Sequence, residues 1–132
     1  MLDISSEGCV FCSADQSDVV RTHELALVRR DGYPLTPGHL LVIPRRHVAS
    51  FFELTPTERV AVLELLDQAK HALDAEYRPD GFNIGINDGA AAGQTIMHLH
   101  VHLIPRYQGD IADPRGGVRW IFPDKAAYWT RE

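Results

Sequence analysis

Histidine recurs at every second position in His98-Leu-His-Val-His102. In a strand, successive side chains point to opposite faces, so the three imidazoles project from one side about 6.6 Å apart. Leu99, Val101 and Leu103 then face a core. Three uses of such a row compete: a solvated His-rich face, a metal site built from imidazole ligands, or a phosphate-handling site. The neighbouring loop Asn87-Asp-Gly-Ala-Ala-Ala-Gly93 favours the last. A neutral imidazole attacks phosphorus and forms a covalent intermediate that water later cleaves. It needs one ring nitrogen free and the other held by an acceptor. Flanking protonated histidines and amides stabilise charge on the non-bridging oxygens. His100 has a histidine on each side and is the expected nucleophile.

The only cysteines, Cys9 and Cys12, stand as C-x-x-C. Met1-Leu-Asp-Ile-Ser-Ser-Glu-Gly shows neither the charged nor the apolar part of an export signal. A structural disulfide is therefore not expected. Metal ligation, a redox pair and two free thiols stay open.

These groups need a scaffold, and 132 residues fit one domain, read as 1–132. A hydrophobic content of 45% and a charged content of 23% are those of an ordinary folded domain. The formal net charge of -5 argues against a nonspecific grip on a nucleic acid polymer. No segment approaches the ~20 apolar residues of a membrane span. A cytoplasmic protein bound to neither membrane nor nucleic acid is expected.

Residues 1–20 read as a polar lead-in. Strands are expected at Leu25–Val28, at His39–Ile43 before Pro44, over Phe82, Ile84 and Ile86, at Met97–Ile104, and at Trp120–Phe122. Asp31–Gly38 and Gln108–Gly117 are rich in turn formers and read as loops. Thr55, Pro56 and Glu58 spell a helix start with a capping box. Val60, Leu63, Leu66, Ala69 and Leu73 then give its buried face, and it ends before Pro79. The expected class is α+β, with an antiparallel sheet of about five strands and one long helix.

The segment His98-Leu-His-Val-His-Leu-Ile104 resembles the signature strand of the histidine triad family. Ala92-Gly-Gln-Thr95, Pro37-Gly-His-Leu-Leu-Val-Ile-Pro44 and Cys9-Val-Phe-Cys12 resemble that family's other motifs, in the right order, across residues 7–107. The resemblance implies a nucleotide hydrolase. His100 would carry a nucleotidyl group, His102 and Gln94 would assist it, and Thr95 and Asn87 would lie near the phosphate. Asp31 would meet the ribose hydroxyls and His39 would support the site. Asp31 and Asn87 also have plain readings as turn residues. The substrate would be a dinucleoside polyphosphate or an AMP-X compound, with a purine base. Nucleotidyl transfer to a phosphate acceptor, or a nucleotide-binding module without turnover, are the alternatives.

The same resemblance implies a structural zinc held by Cys9, Cys12, His47 and His98, no organic cofactor, and a homodimer paired through the long helix and an edge strand. Arg29 and Arg30 match no motif and read as surface charges. The tail, 108–132, resembles bacterial members described as diadenosine-polyphosphate hydrolase-like, where Arg115 and Arg119 would meet a distal phosphate or simply be solvated.

Overall fold

The computed structural model describes residues 6–13 and 16–130; the leading residues read for an export signal lie largely outside them. Strands β1 (Val19–Thr22), β2 (Ala26–Arg30), β3 (Leu40–Pro44), β4 (Gly81–Gly85) and β5 (Val101–Arg106) form one antiparallel sheet in the order β1-β2-β3-β5-β4. One long helix, α1 (Pro56–Tyr77), lies between β3 and β4 in the chain. The α+β class with five strands is as expected, but the five strands are not the five read from the sequence.

Residues 120–122 lie in a 3-10 helix, Gly117–Ile121, and the turn after it, with no strand partner. Gly116 and Gly117 both have positive φ, which turns the chain into that helix rather than into a ladder. The missing strand is β1, which begins inside the supposed lead-in. It is a short edge strand, mostly exposed, with a register break between Val19 and Arg21. A break of this kind shifts side chains to the opposite face, so no period-two signal survives. The strand expected from Met97 starts later, at Val101, so that His98 and His100 lie just ahead of it.

Helix α1 starts as its sequence dictates. The Thr55 side chain accepts from the Glu58 amide, and Glu58 in turn accepts from the Thr55 amide at 2.9 Å. It ends where Arg78 turns left-handed at φ 51. Its first half is a correction. Val60 and Leu63 are more than half exposed, and Ala61, Val62 and Leu65 are buried in their place, while Ala69 and Leu73 are buried as expected. Both series have helical spacing, so periodicity alone does not choose between them. Packing does: the second series meets Ala26, Val28, Leu40, Val42, Val101 and Leu103 on one face of the sheet. Each fully buried Leu or Val there contributes about 2 kcal/mol of transfer free energy.

The opposite face carries a smaller cluster of Leu27, Leu41 and Ile43, packed by Phe11 and Val19. His100 and His102 project from this face. Among the described residues no helix is long and apolar enough to cross a membrane.

Candidate functional site

The alternation read from the sequence holds at the level of burial. Leu99, Val101 and Leu103 are buried in the core, and His100 and His102 are half-buried on the other face. His98 breaks the pattern by being fully buried.

His98 donates from Nε2 to the Pro44 carbonyl at 2.7 Å. A carbonyl only accepts, so Nε2 carries the proton and Nδ1 keeps its lone pair. That lone pair points at Cys9 Sγ (3.6 Å), Cys12 Sγ (3.4 Å) and His47 Nδ1 (3.1 Å). Cys12 Sγ lies 3.2 Å from His47 Nδ1. Both cysteines are free thiols, and the four ligand atoms all lie within 4.8 Å of one another. Such separations suit ligands about 2.0–2.3 Å from one central ion, and two sulfurs with two imidazoles are a closed structural donor set for zinc. Burial and the neighbouring Cys9 raise the Cys12 thiol above its ordinary pKa. A dication reverses that preference, because it stabilises the thiolate. The residues therefore fit zinc by donor type, spacing and the fixed tautomer of His98.

His100 is held differently. Its Nδ1 donates to the carbonyl of His98 at 2.9 Å, so in the neutral ring Nε2 bears the lone pair. Phe11 packs edge-on against both His98 and His100, at centroid distances of 5.9 and 5.1 Å. One side of the ring is thereby walled, and His100 lines a cavity of about 360 Å³ with His102, Asp31, Asn87, Thr95 and Arg29.

His102, on β5, closes a second chain of contacts. The Leu35 amide donates to His39 Nδ1 at 3.1 Å, so the proton of neutral His39 sits on Nε2. That nitrogen lies 3.0 Å from His102 Nδ1 and 3.3 Å from Asp31 Oδ2. Donation to His102 leaves His102 Nε2 as a donor. Burial lowers the pKa of both rings; Asp31 partly opposes this for each, while His100 and His39 add to it for His102. Asp31, His39 and His102 also lie close enough to hold an ion. The structure places Asp31 on the cavity wall and in contact with this histidine pair, its other oxygen accepting from the Tyr33 amide at 2.7 Å.

Gln94 is not aimed at the cavity. Its oxygen accepts from the Gly89 amide at 2.8 Å, and its Nε2 donates to the Ala49 and Ile96 carbonyls at 2.8 and 3.1 Å. It is 3% exposed, so the amide is spent on fastening the loop that carries Asn87 and Thr95. Asp88, which the sequence reading passed over, anchors the same loop by accepting from Ser50 Oγ and the Phe51 amide, both at 3.0 Å.

Arg29 corrects the reading of surface charges. Its side chain is only 13% exposed and sits over the Phe11 ring at 5.3 Å, in the cavity wall. The signal existed: Leu27 and Arg29 alternate along β2, which places Arg29 on the site face, and Asp31 follows the strand's last residue. Arg115 and Arg119 are taken up by the tail itself. Arg115 pairs with Asp113 and covers Trp129, and Arg119 donates to the Ala126 and Lys125 carbonyls.

A family model described as the HIT domain matches residues 13–109. An AP-4-A phosphorylase of Mycobacterium tuberculosis is 37% identical over 74% of this chain. A bis(5'-nucleosyl)-tetraphosphatase of Schizosaccharomyces pombe is 40% identical over 61% of it. The chain spans 51% and 44% of the length of these two relatives. A solved structure described as a Zn-bound histidine triad family protein from Mycobacterium smegmatis superposes with a TM-score of 0.74 at 33% identity, covering 83% of this chain and 82% of that one. The matched domain, the five-stranded sheet with its single long helix and the histidine strand together make this chain a member of the HIT family.

Proposed function

We propose that the protein hydrolyses nucleoside phosphate derivatives, dinucleoside polyphosphates or AMP-X compounds, through a nucleotidyl-histidine on His100. The observation that carries this reading is the tautomer of His100: Nδ1 is held by a backbone carbonyl at 2.9 Å, and Nε2 bears a lone pair beside a cavity that His100 lines.

Nε2 attacks the α-phosphorus, the bond to the leaving group breaks, and its electron pair departs with the leaving atom, which takes a proton from solvent where its basicity demands one. The His98 carbonyl then faces the Nδ1–H of a cationic ring and stabilises it. Water attacks phosphorus in the second step, the P–N bond breaks, and a nucleoside monophosphate and a proton leave. His102 donates from Nε2 to a non-bridging oxygen, with His39 fixing its tautomer. Asn87 and Thr95 contact the phosphate, Asp31 the ribose hydroxyls, and Gln94 acts by holding the loop. A purine base lies toward Phe11 and Arg29.

Cys9, Cys12, His47 and His98 hold zinc, which supplies a closed cross-link and no chemistry of its own. The exposed apolar stripe of Val60 and Leu63 and the exposed Ile84 on edge strand β4 support pairing of two copies through α1 and β4.

Brief mixing with an adenosine phosphoramidate or diadenosine tetraphosphate, early quenching and mass spectrometry test this reading. The expected result is an adenylyl adduct on His100 followed by AMP. Release of ADP only when phosphate is added would favour transfer to a phosphate acceptor. Neither adduct nor AMP would leave a binding module.

A further inference from the structure

One short turn serves two sites at once. Cys9 and Cys12 bring their thiols to His47 and His98, and the residues between them, Val10 and Phe11, line the cavity of His100. The Phe11 ring lies edge-on to one ring of each site: His98, which belongs to the ligand set, and His100, which lines the cavity.

The turn has no ladder to hold it. Among the described residues, 6–13 belong to no strand or helix, and the backbone-to-backbone hydrogen bonds of this stretch are internal: the Cys9 amide to Ser6, that of Cys12 to Cys9, and that of Ser13 to Val10. Side-chain contacts seat it on the sheet. Cys9 and Cys12 meet His98, Cys12 also meets His47, and Phe11 packs on Leu27, Leu41 and Ile43. Arg29 donates to the Val10 carbonyl at 3.3 Å. A thiol is a weak hydrogen-bonding group, so the cysteine contacts hold little by themselves and much once both sulfurs are ligated. The nucleophile is placed by other means. The Leu99 amide donates to the Val48 carbonyl at 2.7 Å, and the His98 ring donates to Pro44, so the His98 carbonyl that fixes the His100 tautomer has supports that need no ion. The Phe11 wall and the attacking ring therefore differ in what holds them.

Resting on the reading above only for the place of the nucleoside, against Phe11, we infer that ligation of zinc by Cys9 and Cys12 and binding of the nucleoside are one coupled equilibrium, with Phe11 as the positioning link. Ligation orders the turn before the nucleoside arrives, so the loaded protein loses less conformational freedom on binding and binds more tightly. Linkage is reciprocal: a nucleoside pressed against Phe11 makes the turn harder to detach, and so tightens the hold on zinc by the same factor. The attacking ring keeps its place without the ion, so the effect falls on KM and leaves kcat nearly as it was.

The test uses the full chain and AMP. Affinity for AMP is measured by calorimetry on zinc-loaded and chelator-stripped protein, and affinity for zinc by competition with a chelator, with and without saturating AMP. Stripping is expected to weaken AMP about tenfold, and AMP to tighten zinc by the same factor, within the usual range of coupling between two sites. With an adenosine phosphoramidate, stripped protein is expected to show KM raised about tenfold and kcat within about threefold of the loaded value. Phe11→Ala keeps Cys9, Cys12, His47 and His98; it is expected to bind zinc, to bind AMP about as weakly as stripped wild type, and to show a zinc affinity that AMP no longer alters. Where stripping unfolds the chain, zinc competition on loaded wild type and loaded Phe11→Ala decides by itself. Coupling that survives in Phe11→Ala belongs to folding as a whole and overturns the role of Phe11. Equal AMP affinity in loaded and stripped wild type overturns the coupling, as does wild type that holds no zinc; both leave the hydrolase reading standing. AMP bound with the expected coupling, while no phosphoramidate is turned over, overturns the hydrolase reading and supports the coupling. No binding of AMP to loaded wild type overturns both.

Discussion

His98 and His100, the closed and open ends of one adjacent pair in the histidine row, carry the same side chain and have opposite fates. At one end His98 is fully buried, with one nitrogen bound to the Pro44 carbonyl and the other enclosed by Cys9, Cys12 and His47. Two residues on, His100 has one nitrogen bound to a carbonyl and the other beside a cavity. The free nitrogen of the first lies among other side chains of the protein; the second ring lines open space. Proximity in sequence therefore says little about role. What counts is which nitrogen the surroundings leave free and whether that nitrogen meets protein or space.

His100→Ala separates the two ends most sharply. Hydrolysis is expected to fall by about 10⁴-fold or more, since removing a nucleophile removes the pathway. Zinc content and thermal midpoint stay unchanged. Near-normal activity in this variant breaks the assignment of the open end. Cys9→Ser with Cys12→Ser does the reverse: metal analysis is expected to show about one zinc per chain in the parent and none in the variant. The thermal midpoint drops by about 10 °C, because metal binding is folding free energy. Retained zinc in the double variant breaks the closed end.

His39→Ala tests the support behind the open end. Losing the donor that fixes the His102 tautomer is expected to lower kcat by about 10–100-fold, the usual effect of removing an orienting partner, with KM within about threefold. A change confined to KM points to a binding role instead. The smallest effect belongs to a group that touches neither end. Arg46 donates two hydrogen bonds to Glu58 and holds its carboxyl down to about 2. The folded pKa is depressed, so this stabilisation is present above the unfolded value of about 4.3 and is lost as pH falls from there toward 2. Glu58→Gln should cost about 1 kcal/mol at neutral pH through the helix start, flatten the acid limb of the stability curve, and leave turnover unaffected. Denaturant unfolding at several pH values checks this; an unchanged acid limb refutes the assignment.

Local rules carried much of the architecture. The capping box at Thr55 and Glu58 is a purely local hydrogen-bond device, and it forms where the sequence places it. Alternation along His98–His102 fixes which side chains share a face, because pleating is a property of the backbone. Composition and motif order were enough for the fold class and the family. The family resemblance, rather than the spacing itself, brought Cys9, Cys12, His47 and His98 together as candidates, and the fold gathers them within ligand distance.

Other features depend on what packs against what. Val60 and Leu63 have the same helical spacing as the buried series, and only the sheet beneath α1 decides which stripe is covered. Strand β1 has almost no apolar pattern and exists because β2 offers it an edge. Trp120, Ile121 and Phe122 look like a strand, but the positive φ of Gly116 and Gly117 turns the chain into a 3-10 helix instead. Gln94 has a motif position beside the nucleophile, yet its amide is consumed by three backbone groups that only the folded loop brings together. Burial, tautomer and the free lone pair are set by neighbours distant in the chain. For that reason the sequence by itself named the histidines, their shared face and, through the family resemblance, their expected roles, and only the tertiary structure decided which ring nitrogen meets a carbonyl, which meets other side chains and which ring lines a cavity.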